Sequence, residues 1–104
     1  MTIWKYPLVP VFGAQHLSMP RGARLLSVHA QDNVPCLWAL ADETSGIYED
    51  RTVAMYGTGT SVPSSDSLCF LGTVLLHGGA FVLHVFARPC AMSSEPGLPT
   101  RDNA

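Results

Sequence analysis

The sequence predicts an all-β protein, a small sandwich or barrel of six or seven antiparallel strands. Three observations point there. Short runs rich in β-branched and aromatic residues recur between clusters of Gly, Pro, Asn, Asp and Ser. Two dipeptides suited to tight hairpins, Asp32-Asn33 and Gly78-Gly79, each separate two such runs. No window holds a helical period flanked by caps.

The elements follow in order. Thr2–Tyr6 is a short apolar-aromatic strand ended by Pro7, and Pro7 to Gly13 is a loop with two prolines. Gln15–Met19 is a second short strand, closed by the turn Pro20-Arg21-Gly22. Arg24–Gln31 alternates, with Leu26, Val28 and Ala30 on one face and Ser27, His29 and Gln31 on the other. Val34–Ala41 is its hairpin partner, Asp42–Gly46 is a polar loop, and Ile47–Tyr56 is a longer strand. Gly57 to Ser67 is a polar loop, with a short helical turn near Ser64–Leu68. Cys69–His77 and Ala80–Ala87 form a central hairpin. The chain therefore reads as one domain over residues 1–88, followed by a flexible tail over 89–104 that holds Ser-Ser, prolines and mixed charge.

Turn position sets register. With Gly78-Gly79 as the loop, Phe70, Gly72, Val74 and Leu76 share a wholly apolar face with Phe81, Leu83, Val85 and Ala87, so that face is core. The opposite face carries Leu71, Thr73, Leu75 and His77 with Ala80, Val82, His84 and Phe86, a mixture still too apolar for water. With Asp32-Asn33 as the loop, Ala30 faces Pro35 and His29 faces Cys36. Pro35 then stands at a non-hydrogen-bonded position, where its missing N–H costs the ladder nothing. The expected core comprises Phe81, Leu83, Val85, Val74 and Leu76 with Leu26, Val28, Leu37 and Ala39.

Composition narrows the function classes. The 104 residues are 47% hydrophobic and only 13% charged, about half the usual charged fraction, with a mean hydropathy of +0.20. Disorder of the whole chain is excluded. Six basic against eight acidic residues, a net charge of −2, give no footprint for duplex nucleic acid or an anionic membrane. Lys5 is the only lysine, so too few charges exist to dress the surface, and apolar area is left for another subunit. Cys36, Cys69 and Cys90 are an odd set without CxxC spacing, which points to a reducing compartment. The amino-terminal segment, interrupted by Pro7 and Pro10, does not read as a signal peptide. Ser67 to Ala87 is free of Asp, Glu, Lys and Arg and long enough to span a bilayer, but His77-Gly78-Gly79 at its middle favours a hairpin.

Ile3-Trp4-Lys5-Tyr6-Pro7, Met19-Pro20-Arg21-Gly22-Ala23, Leu26-Ser27-Val28, Pro35-Cys36-Leu37-Trp38-Ala39-Leu40, Gly57-Thr58-Gly59, Leu71-Gly72-Thr73-Val74, His77-Gly78-Gly79-Ala80 and His84-Val85-Phe86 form an ordered series from Thr2 to Ala87. In this series the chain resembles a family of short uncharacterised bacteriophage proteins. The resemblance implies a phage or prophage product acting in the cytoplasm of the bacterial host, or packaged in a virion. It carries over no catalytic residue.

Candidate chemistry is sparse. His29 and Cys36, cross-strand neighbours in the derived register, are the nearest approach to an activated thiol, but no orienting acid or oxyanion donor accompanies them. His16, His29, His77, His84 and the cysteines lack ligand spacing, and His77 and His84 stand about 13 Å apart along the hairpin, so no metal and no cofactor is expected. His84, opposite Thr73, is expected to hydrogen-bond its hydroxyl. Trp4 and Trp38 read as core residues, or as a stacking wall. The candidate ligand site is the loop residues Gly57, Thr58, Gly59 and Thr60, with backbone N–H and hydroxyl donors, joined by Arg21 or Arg51 from the same or a neighbouring subunit. The site suits a small anionic ligand. The expected function is that of a non-enzymatic binding protein, a homo-oligomer that sequesters a small, nucleotide-like ligand and counters host defence. A virion-associated or protein–protein assembly module is the alternative, and a small hydrolase the remote one.

Overall fold

The computed structural model describes residues 1–63 and 68–88. Seven strands run in order: β1 (Thr2–Pro7), β2 (Gly13–Pro20), β3 (Arg24–Gln31), β4 (Val34–Ala41), β5 (Tyr48–Gly57), β6 (Cys69–Leu76) and β7 (Phe81–Arg88). Two short 3₁₀ turns, Glu43–Ser45 and His77–Gly79, are the only helical pieces among the described residues. The strands make two antiparallel sheets, β1-β4-β3 and β2-β5-β7-β6, and the fold is a β-sandwich. No helix of the described residues is long and apolar enough to cross a membrane. The expected helical turn at Ser64–Leu68 falls almost wholly outside the described residues, as does the expected tail.

Both hairpins follow from their turns. Asp32 and Asn33 take positive φ angles of 53° and 62°, the backbone that a two-residue turn between right-twisted strands requires. The pairs Gln31–Val34, Ala30–Pro35 and His29–Cys36 are those the turn dictates. The second hairpin has the derived pairing from Leu76–Phe81 to Gly72–Val85, although its loop is longer than Gly78-Gly79 alone. His77 joins the turn at φ 52° and its carbonyl accepts from Ala80 N–H. The Asn33 side chain then accepts from His77 N–H at 2.8 Å, tying the two hairpin ends together.

Bulges correct the expected faces. The register of β3 slips between Leu25 and Ser27, leaving Leu26 as the extra residue. Leu25 packs on the core in its place, and Leu26 is exposed. A second bulge between Phe70 and Gly72 turns Leu71 toward the core and sends Phe70 to the outer face. Phe81, expected in the core, is 57% exposed. It stands at the hairpin tip with its ring edge-on to the His77 imidazole at 5.6 Å, beyond the packed interior.

The interior lies between the sheets. Leu37 and Ala39 of β4, Val28 of β3, Val53 and Met55 of β5, Val74 and Leu76 of β6, and Leu83 and Val85 of β7 are buried there with Met19 and Leu8. β3 and β6 close one side of the sandwich. There Gly72 admits Val28: a Cβ at Gly72 would stand 3.0 Å from Val28 Cγ1. Val28 is itself held in the core, so it has little room to yield. Gly72→Ala is expected to lower stability by about 1–3 kcal/mol, an overpacking cost read from denaturant midpoints. On the other side the loop after β1 is closed by Gln15, whose amide donates to Val9 C=O at 2.8 Å and accepts from Val9 N–H at 3.0 Å, the pairing a strand neighbour would make.

Candidate functional site

The four-stranded sheet turns Val53, Met55, Leu83, Val85 and Val74 inward, so the alternate residues face out. Beyond Thr52 these are Ala54 and Tyr56 on β5, Val82, His84 and Phe86 on β7 and, after the bulge, Phe70, Thr73 and Leu75 on β6; the same alternation puts Arg88 at the end of β7, paired with Thr52, and Asp50 farther along β5. The charged residues stand at that end of the face. Phe70 is 60% exposed and Leu75 56% exposed. Phe86 is half-buried between Phe70, edge-on at 5.5 Å, and Tyr56, tilted at 6.2 Å.

His84 is the polar centre of this face. Its Nδ1 lies 3.1 Å from Thr73 Oγ1 on β6, and its Nε2 lies 2.7 Å from Thr58 Oγ1, just past the end of β5. The Thr73 contact is the one expected from sequence. The Thr58 contact was not, because nothing in a single sequence says that β5 pairs with β7 and brings Tyr56 opposite His84. With one threonine accepting and the other donating, a neutral imidazole is satisfied at both nitrogens. The arrangement fixes the ring and leaves an aromatic, uncharged surface around it.

The loop residues proposed from sequence are largely self-satisfied. Gly57 to Thr60 is a β-turn in which Thr60 N–H donates to Gly57 C=O at 3.2 Å, and the Thr60 hydroxyl bonds the same oxygen. Gly59, at φ 86°, supplies the left-handed residue of the turn. Phe12 lies over Gly57, where a Cβ would meet its ring tip at 2.8 Å. Two donors of Thr60 and the hydroxyl of Thr58 are thus engaged.

Within one chain the two arginines lie elsewhere. Arg51 is six strand residues from Gly57, about 20 Å away, and Arg21 sits in the turn beside it, its N–H bonded to Ile47 C=O at 2.9 Å. Arg51 faces inward and is only 3% exposed. Its Nη1 donates to Ala23 C=O at 2.9 Å and stands 3.8 Å from Glu49 Oε2, which also accepts from Gly22 N–H at 3.2 Å. Its Nε and Nη2 are buried without a partner. A buried guanidinium with unpaired donors is destabilising unless an acceptor reaches it. Arg51→Met is therefore expected to hold or raise the melting temperature, and a fall would show that the charge itself supports the fold.

The remaining candidates are quickly placed. Cys36 is a buried free thiol whose Sγ lies 3.5 Å from Val34 C=O, and His29 packs beside Trp38 at 6.1 Å. No cluster of three metal-ligating side chains forms among the described residues. Cys69 is disulfide-bonded, which removes the support that the odd cysteine count lent to a reducing compartment. Trp4, expected to pack in the core, is instead partly exposed on edge strand β1. The Asp42 carboxyl is held below its usual range by the Thr44 hydroxyl at 2.6 Å, then by Thr44 N–H at 3.0 Å, which start the first 3₁₀ turn.

No curated protein and no solved structure matches the chain. A family model described as a domain of unknown function, DUF7352, covers residues 1–95, and so takes in all seven strands and the face around His84. On that match the chain belongs to the DUF7352 family.

Proposed function

We propose that this chain is a binding protein, not an enzyme, and that it works as a symmetric homo-oligomer joined through the outer face of its four-stranded sheet. One observation carries the reading. Tyr56, Phe70, Leu75, Val82 and Phe86 surround the Thr73–His84 pair in a largely apolar face whose charged residues, Arg88 and Asp50, lie toward one end, on a chain that is 13% charged. Monomers rarely leave such a face to water. A two-fold axis through it would lay the patch on its own copy, and the Thr73 and Thr58 hydroxyls already engage both His84 nitrogens. The ligand in this reading is small and anionic, recognised by the arginines beside the Pro20–Ala23 turn. Arg51 keeps two buried donors for an acceptor, and Arg21 belongs to the same turn whose Ala23 carbonyl Arg51 holds. The setting is the one the phage resemblance implies, a bacterial host in which a captured nucleotide-like signal is withdrawn from defence.

Native mass spectrometry of the protein as isolated from cells tests both halves. The expected spectrum shows multiples of the chain mass of 11.2 kDa carrying a small anionic adduct that Arg51→Met loses. A bare single chain at every concentration would overturn the proposal.

A second reading has its own support. The disulfide at Cys69 suits a virion surface better than a reducing cytoplasm, and so favours the virion-associated assembly module. Alkylation under denaturing, non-reducing conditions separates the two. All three cysteines react if the chain is kept reduced, and fewer react if the disulfide persists.

A further inference from the structure

β1 is an edge strand, and its residues two apart share a face. Trp4 and Tyr6 therefore stand side by side, with ring centroids 6.5 Å apart and planes 25° from parallel. Their cross-strand partners Ala39 and Leu37 are fully buried, but Trp4 at the rim keeps 36% of its surface exposed. The first 3₁₀ turn brings Glu43 to this rim. The Trp4 indole N–H donates to Glu43 Oε1 at 3.1 Å, which fixes the carboxylate at the edge of the aromatic pair. Among the described residues no Lys or Arg forms an ion pair with Glu43. Tyr48, at the start of β5, is 51% exposed. The Tyr6 hydroxyl titrates above its ordinary range, first because it is desolvated and then because Tyr48 and Glu43 lie close to it.

The charge held against the rings themselves is the Glu43 carboxylate. Asp42 and Glu43 are the carboxylates beside the aromatic pair; Glu49 stands 3.8 Å from Arg51, Lys5 points to the opposite face of β1 with its Nζ bonded to Gln31 at 2.7 Å, and the amino terminus lies near Asp42. An anion is repelled here. A hard metal ion would want several oxygen ligands, and one carboxylate beside an indole does not supply them. A large, weakly hydrated cation is served by both features, the electron-rich ring faces and the fixed negative charge.

We propose that Trp4, Tyr6, Tyr48 and Glu43 form a binding site for an organic cation, specifically an alkylated ammonium group. The site is independent of the self-association reading, since it lies on other strands and uses other residues. The rings contact the alkyl groups, and the Glu43 carboxylate faces the charge.

The probe is tetramethylammonium chloride, with sodium chloride and ammonium chloride at matched ionic strength as references. Trp38→Phe leaves Trp4 as the single tryptophan, so its emission reports the site. The expected result is a saturable change with tetramethylammonium and little with the other two salts. Tyr48→Ala and Glu43→Gln, both at exposed positions, should each weaken binding by about fivefold, the size of an exposed cation–π contact. An NMR titration of the unaltered chain, following the Trp4 indole N–H, reads the same event should Trp38→Phe disturb folding. An equal response to plain ammonium, no saturation, or unchanged affinity in both variants would overturn the proposal.

Discussion

Leu37→Ala is expected to cost about 3–5 kcal/mol, the upper part of the range for truncating a leucine in a core that cannot collapse around the void. Leu37 lies at the middle of β4, the central strand of the three-stranded sheet, and has no solvent exposure. Its neighbours across the strand, Tyr6 and Val28, are both fixed by their own sheet pairing. Single domains hold only about 5–15 kcal/mol in all, so the variant should melt on the order of 10–20 °C lower or be recovered unfolded. Phe81→Ala is the paired control. Both residues lie on core-facing registers by sequence, but Phe81 is exposed at the hairpin tip, so its truncation should cost less than about 1 kcal/mol. Equal losses in the two variants would contradict the packing described for β7.

Leu75→Asp has the largest expected effect on assembly. The side chain is exposed on β6, next to Val82 across the strand pair, and it supports no core contact in the single chain. A carboxylate there would be buried unpaired on a self-docked face, whereas in a free chain it would sit in water. An unpaired carboxylate buried in the interface should cost about 2 kcal/mol or more, so the dissociation constant should rise by about 30-fold or more. Chemical denaturation of the separated chains should change little. A variant that associates as its parent does would place the contact elsewhere.

The sandwich was legible because turn chemistry and alternation agreed. Asp32-Asn33 fixed one hairpin and the apolar run around Gly78-Gly79 the other, and each pairing was derivable to within a residue of the bulges. The bulges were not legible. Leu26 and Phe70 exchange faces with Leu25 and Leu71 because one inserted residue reverses every side chain beyond it, and no residue type announces the insertion. The site was legible in part. The Thr73–His84 contact lies within one hairpin and follows from local register, whereas Thr58 reaches His84 through a pairing of strands distant in sequence. The same non-local order separates Arg51 from Gly57 along one strand and buries the guanidinium, which an alternating pattern with a polar residue at Arg51 does not reveal.

Sedimentation velocity of the unaltered chain over a wide concentration range tests the central claim most directly. Self-association through the outer face predicts a species of twice the 11.2 kDa chain mass, or a multiple of it, that gives way to a single chain on dilution. In Leu75→Asp the single chain should dominate throughout. A single chain at every concentration of the unaltered protein would contradict the account.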